Sequence, residues 1–155
     1  MHGWRSFLLR CFGAQLEYPV FVYPTARVWA PWNLRMGKNS TIADNVDCYC
    51  VTMISIGEGT TVSQYSYLCA ASHDYGDPGI LKNPKMPLLC APIDIGNRVW
   101  VTSDVFVGPG VKIADGTVIL ARSTVTEDIA AWKIAAGSPA KVKKDRVLRR
   151  SKEEN

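Results

Sequence analysis

The chain has 155 residues, 47% of them hydrophobic and 21% charged, which fits one packed domain and excludes a disordered chain. A net charge of +4 is mildly basic and falls short of the bias that marks a nucleic-acid binder. Five cysteines, with no Cys-x-x-Cys pair, read as reduced thiols of a cytosolic protein rather than a disulfide framework or a zinc site.

The opening segment, 1–15, holds a short apolar stretch, Ser6-Phe7-Leu8-Leu9, cut by Arg10. It is too short for a secretory signal, and no apolar run nears the ~20 residues that span a bilayer. A short amphipathic helix over about 4–12 is expected. It caps the domain or touches a membrane surface, with capping the favoured reading. A cytoplasmic protein is expected, with the inner face of the membrane as the surface such a helix would meet.

From Leu16 onward the chain repeats in sixes. Leu16, Val22 and Val28 are apolar; so are Met36, Ile42 and Cys48, then Ile56, Val62 and Leu68. After a gap come Ile95, Val101 and Val107, then Ile113, Ile119 and Val125. Four residues after most of these stands a small or β-branched residue, such as Ser40, Thr60, Ser66, Val99 and Thr117; Trp32 breaks the rule. Helical periods do not fit six, nor does long strand alternation; a parallel β-helix does. Each hexad is a short strand plus a turn, and three make one triangular coil. The first two coils carry about two extra residues each, and the third an insertion at about 73–92 that begins at His73.

After residue 129 the pattern stops. Gly137-Ser138-Pro139-Ala140 is followed by a segment with Lys141, Lys143, Lys144, Arg146, Arg149, Arg150 and Lys152. Proline suits a first helical turn, so a C-terminal helix of about ten residues is expected there, packing Val142 and Val147-Leu148 on the last coil. Its charge reads either as a solvated face or as a site for a phosphorylated ligand. The expected layout is a single domain over 1–155, with the β-helix over 16–129 and the helix and basic tail over 130–155.

His73 is one of two histidines, the other being His2 at the terminus. Imidazole accepts and returns protons near neutral pH, so His73 is the candidate general base. Asp74 adjoins it but points the other way in an extended chain. It binds an acceptor, orders the loop, or orients a histidine elsewhere in an assembly.

This sequence resembles the hexapeptide-repeat acetyltransferases, and most closely the colanic acid biosynthesis acetyltransferases. The carrying residues are Trp4-Arg5-Ser6-Phe7-Leu8-Leu9-Arg10, Phe12-Gly13-Ala14, Pro31-Trp32-Asn33-Leu34, Ser72-His73-Asp74, Trp100, Asp104-Val105-Phe106-Val107 and Gly137-Ser138-Pro139-Ala140. The resemblance implies left-handed coiling, against the usual right-handed crossover. It implies acetyl-CoA as co-substrate with no metal, and a homotrimer that fits closed symmetry. It implies that His73 is the catalytic base and that Trp100, from the neighbouring subunit, lines the acetyl-CoA channel. The amide near Ser103 would meet the oxyanion, Ala121 would admit the pantetheine arm, and Lys141 and Lys144 would meet the CoA phosphates. Glu127 departs from the family, many members of which carry lysine there; a carboxylate would repel phosphate.

The acceptor implied is a sugar or glycan-precursor hydroxyl, with Asp74, Tyr49, Asp47 and Gln64 as candidate polar contacts. A γ-class carbonic anhydrase needs three histidines on zinc, which this chain lacks. A non-catalytic β-helix scaffold would need neither His73 nor the Gly-x-Pro-Ala segment. A serine or sugar-nucleotide acetyltransferase would normally add an N-terminal domain.

Overall fold

The computed structural model describes residues 2–81 and 86–148, of His2 and Ile80 the backbone alone. Helix α1 (His2–Cys11) leads into a triangular β-helix. The first face stacks Gln15–Leu16, Leu34–Met36, Ile54–Ile56, Ile93–Ile95 and Lys112–Ile113. The second stacks Phe21–Val22, Thr41–Ile42, Thr61–Val62, Trp100–Val101, Val118–Ile119 and Lys133–Ala136. The third stacks Arg27–Val28, Asp47–Tyr49, Tyr67–Cys69, Phe106–Val107 and Thr124–Val125. Neighbours on every face pair in parallel, for example Trp100 with Thr61 on one side and Val118 on the other. Five coils are complete, and Ile129 and Lys133–Ala136 begin a sixth.

The six-residue rhythm is the rhythm of the core. Of its fifteen apolar positions fourteen are buried, and Val28 is half-buried. Each fully buried Leu or Ile contributes roughly 1.5–3 kcal/mol of transfer free energy. The small residue four places on sits buried at the corner, and its hydroxyl closes on a turn carbonyl: Ser40 donates to Gly37 O and Ser66 to Thr102 O. One residue earlier the backbone turns left-handed, at Asn39, Asn45, Gly59, Tyr65, Arg98, Asp104, Gly110, Gly116, Arg122 and Trp132. Glycine or asparagine was the expected occupant. Tyr65, Arg98, Arg122 and Trp132 hold the same conformation because the ladders on both sides dictate it.

The chain takes six residues to pass the first or second corner, as from Ile56 to Val62 and from Val62 to Leu68. All the extra length is at the third. Residues 30–33 and 50–53 hold the two short insertions, and the amide of Asn33 donates to the Cys50 and Val51 carbonyls, tying one to the other. The long insertion leaves from the same corner in the third coil. Its stem is an antiparallel pair, Ala71–His73 with Leu88–Cys90, which puts His73 opposite Leu88.

The expected C-terminal helix is corrected. Lys141–Asp145 is a strand, antiparallel to Lys133–Ala136. Gly137, at φ +111°, turns the chain back, and the open edge of the second face offers unpaired ladder groups that a helix would leave unmet. Val142, Val147 and Leu148 are exposed rather than packed on the last coil. Arg146 closes this end instead: its guanidinium donates to the carbonyls of Arg98 (3.0 Å) and Gly116 (2.7 Å) and lies over the Trp132 ring. Arg149, Arg150 and Lys152 lie outside the described residues.

Candidate active site

His73 is exposed at the third corner, where the stem of the long loop leaves the prism. Its Nδ1 lies 3.1 Å from the carbonyl oxygen of Met86. A carbonyl only accepts, so Nδ1 carries a proton, and in the neutral imidazole Nε2 is then the nitrogen with the free lone pair. The loop therefore sets the tautomer that a general base needs. The loop residues just before the stem strand Leu88–Cys90 supply that oxygen, so the orientation of the His73 ring depends on the loop closing as a hairpin.

Asp74 does not meet His73. Its amide donates to Pro87 O at 2.9 Å, and its carboxylate accepts from the Gly76 amide at 3.0 Å. Of the three roles open to Asp74, ordering the loop is the one these bonds perform.

Trp100 is half exposed on the second face, and its Nε1–H donates to Ser63 Oγ at 3.0 Å. Ser63 belongs to the Val62-Ser63-Gln64 segment that shares the family resemblance, but no role was expected of it. It becomes a partner only when coil three and coil four are set in register across the long insertion, which aligns Val62 with Val101. Ser103 lies in the turn after Trp100–Val101 and accepts from the Arg122 amide at 3.1 Å. Ala121 stands exposed in the equivalent turn one coil on. Trp100, Ser103 and Ala121 thus share one edge of the prism.

Lys141 and Lys144 are exposed on the terminal strand. Lys141 reaches Glu127, Nζ to Oε2 at 2.8 Å, so the departing carboxylate is neutralised by the lysine expected to meet phosphate. Both groups are more than half exposed, and a pair like this contributes little to stability.

Tyr49 and Asp47 belong to the third face. Trp29, Tyr49, Tyr67 and Phe106 form an aromatic ladder there, edge-on at its two ends and tilted between Tyr49 and Tyr67, with centroids 5.0, 6.5 and 5.7 Å apart in sequence. Asp47 accepts from the Trp29 indole at 2.9 Å and faces Arg27 at 3.8 Å. Burial, then the Cys69 thiol beside it, holds the Tyr67 phenol well above its usual range. Gln64 instead lines a groove of about 670 Å³ at the corner between the second and third faces, with Tyr23, Thr25, Thr41, Ala43, Asp44, Asn45, Thr61, Ser63 and Tyr65. Thr25 orders its floor, donating to Asp44 at 2.7 Å and accepting from the Asn45 amide at 2.9 Å. The groove mixes hydroxyls, amides and one carboxylate with the apolar surfaces of Ala43 and two tyrosines, and Ser63 joins it to Trp100.

Within one chain these parts do not converge. His73 is at the corner between the third and first faces, which in a triangular prism is the vertex opposite the second face. Trp100 is on that second face, and the groove lies at its corner with the third.

This arrangement has close parallels among known proteins. WcaF of Escherichia coli K12, named as a colanic acid biosynthesis acetyltransferase, is 40% identical over 147 residues, which cover 95% of this chain and 78% of that protein. A galactoside acetyltransferase solved in complex with coenzyme A superposes with a TM-score of 0.80 at 28% identity, covering 92% of this chain and 70% of its own. A hexapeptide-repeat acetyltransferase of Vibrio cholerae, solved with acetyl coenzyme A, shares the fold with a TM-score of 0.85 at 24% identity, covering 96% and 79%. No family model matches the chain. The chain belongs to the hexapeptide-repeat acetyltransferases. Its β-helix is accordingly the left-handed form, and its activity is acetyl transfer.

Proposed function

We propose that the protein moves acetyl from acetyl-CoA to a hydroxyl of a sugar or glycan precursor, by direct transfer with His73 as general base. The observation that carries this is the hydrogen bond from His73 Nδ1–H to the Met86 carbonyl, which leaves Nε2 as a proton acceptor. Nε2 takes the acceptor hydroxyl proton as its oxygen attacks the thioester carbonyl. The tetrahedral oxyanion is met by the backbone amide near Ser103. The C–S bond then breaks, and the imidazolium returns its proton to the CoA thiolate. Charge never leaves the site, and no covalent enzyme intermediate is needed.

The donor lies along the edge marked by Trp100, Ser103 and Ala121, with its phosphates towards Lys141 and Lys144. The Glu127 contact to Lys141 must open or turn aside as phosphate arrives, so Lys144 carries the larger share. The acceptor occupies the polar groove, where neutral hydroxyls and one carboxylate suit a sugar; Gln64 contributes there, while Asp74 positions the loop and Tyr49 belongs to the aromatic ladder. The separate positions of His73 and Trp100 support a site shared between copies of the chain, and a homotrimer is the closed assembly that would bring one to the other. The exposed apolar loop residues Met86, Leu88 and Leu89 suit burial against that neighbour.

The test is acetyl-CoA calorimetry alongside a thiol-release assay over a panel of sugars. His73→Ala should bind acetyl-CoA about as well as the parent, and its turnover should fall by roughly 10²–10⁴-fold. Lys141→Ala/Lys144→Ala should weaken binding and raise the KM for acetyl-CoA. Turnover surviving in His73→Ala would refute the base assignment, and no binding at millimolar acetyl-CoA would refute the whole reading.

A further inference from the structure

Helix α1 is mounted with its apolar side towards solvent. Trp4, Phe7, Leu8 and Cys11 follow the i, i+3, i+4, i+7 spacing of one helix face. That face is exposed: 69% at Trp4, 58% at Phe7 and 41% at Leu8. The side turned to the prism carries Ser6 and Leu9, both buried, and Ser6 donates to the Val20 carbonyl. Ordinary surface helices bury the richer stripe. Phe12 extends the exposed patch beyond the helix, and Trp32 adjoins it, packed against Gly13.

The first 40 residues are basic, holding Arg5, Arg10, Arg27, Arg35 and Lys38 against a single acid, Glu17, although Arg27 among them faces Asp47 of the next coil and Glu17 shares a groove with Arg10 and Arg35. That excess equals the net +4 of the whole chain, so the other 115 residues sum to zero. Arg5 is committed to the carbonyls of Pro24 and Ala26. Arg10 stays exposed and shares a groove with Phe7 and Tyr18.

Indole and phenyl rings beside guanidinium groups match the boundary between lipid headgroups and acyl chains, where rings lie at headgroup depth and cations meet phosphates. A second copy fits less well. A ten-residue helix is about 15 Å long. One side of it offers far less than the roughly 800 Å² per partner of a stable protein pair. Among the described residues no helix is long and apolar enough to cross a membrane, so the contact is peripheral. We propose that α1 docks this protein on an anionic bilayer surface, with Trp4, Phe7, Leu8 and Phe12 entering the interface and Arg10 on the headgroups.

The full chain is sedimented with sucrose-loaded vesicles of phosphatidylcholine alone, and with about 30% phosphatidylglycerol as the anionic lipid. Binding is expected on the anionic vesicles, weakening with salt. Trp4→Ser/Phe7→Ser should lower the partition coefficient at least about tenfold, because both side chains leave water only on docking. Arg10→Glu should weaken the anionic case alone. Thermal unfolding of the variants should match the parent, since the substituted side chains face solvent. Failure to sediment with either vesicle would overturn the proposal, as would undiminished binding by the serine pair. Sedimentation velocity gives the third outcome against it: a lower oligomeric state in the serine pair would assign the stripe to another copy.

Discussion

Two crippled variants should rescue each other. His73→Ala removes the proposed base and Trp100→Ala the proposed wall of the donor channel, so each alone should be at least tenfold slower than the parent. If a site takes His73 from one subunit and Trp100 from the next, a mixed trimer contains some sites with both. In a randomly assembled equal mixture, the subunit giving the histidine is intact there half the time, and so independently is the neighbour giving the tryptophan. About one site in four of the whole mixture is therefore complete, and each mixed trimer, with two chains of one kind and one of the other, has one complete site in three, so the purified mixed species should show about one third of parental turnover per site. The assay is thiol release from acetyl-CoA after co-expression of differently tagged chains and purification of the mixed species. Activity no higher than the average of the two parents of the mixture would refute a site shared between subunits. The placement of His73 at the vertex opposite the Trp100 face would then have no functional meaning.

Two other perturbations read the fold itself. At Gly116, φ is +68° and a Cβ would come within 2.6–2.8 Å of the Trp132 ring. Gly116→Ala should lower stability by about 1–3 kcal/mol in thermal unfolding, through left-handed strain and displacement of the indole that Arg146 covers. Brief alkylation of the native protein should label the exposed Cys11 and Cys90 and spare Cys48, Cys50 and Cys69. The Cys48 thiol beside it holds Cys50 down to about 7, yet Cys50 is shut inside the coil; access decides its reactivity, and mass spectrometry of the peptides reads the result.

The coils were legible because each one reports itself three times, and a side chain in a narrow triangular core cannot be polar and large. Leu68 and Ile95 could be set in phase across the insertion for that reason alone. The terminal strand was not legible. Lys141-Val-Lys-Lys-Asp145 has no strong local preference, and the force that makes it a strand is the unpaired edge of the coil beneath, which no local window contains. The left-handed corners at Tyr65, Arg98, Arg122 and Trp132 escaped for the same cause. His73 stood out by the scarcity of histidine and its position at the mouth of the insertion. The carbonyl that sets its tautomer comes from 13 residues further on, through a hairpin whose pairing the loop composition did not announce.

The three corners differ in what they permit. Two are held at six residues per passage, with the backbone forced left-handed in most coils, so a single inserted residue there would push every later side chain off its face. The third takes up two residues twice and the long insertion once, and the ladders resume in phase each time. Length is thus neutral at one edge of the molecule and forbidden at the others. That edge carries His73, so natural or engineered changes in loop length would reshape what approaches its imidazole while leaving the frame that carries Trp100, Ser103 and Ala121 untouched.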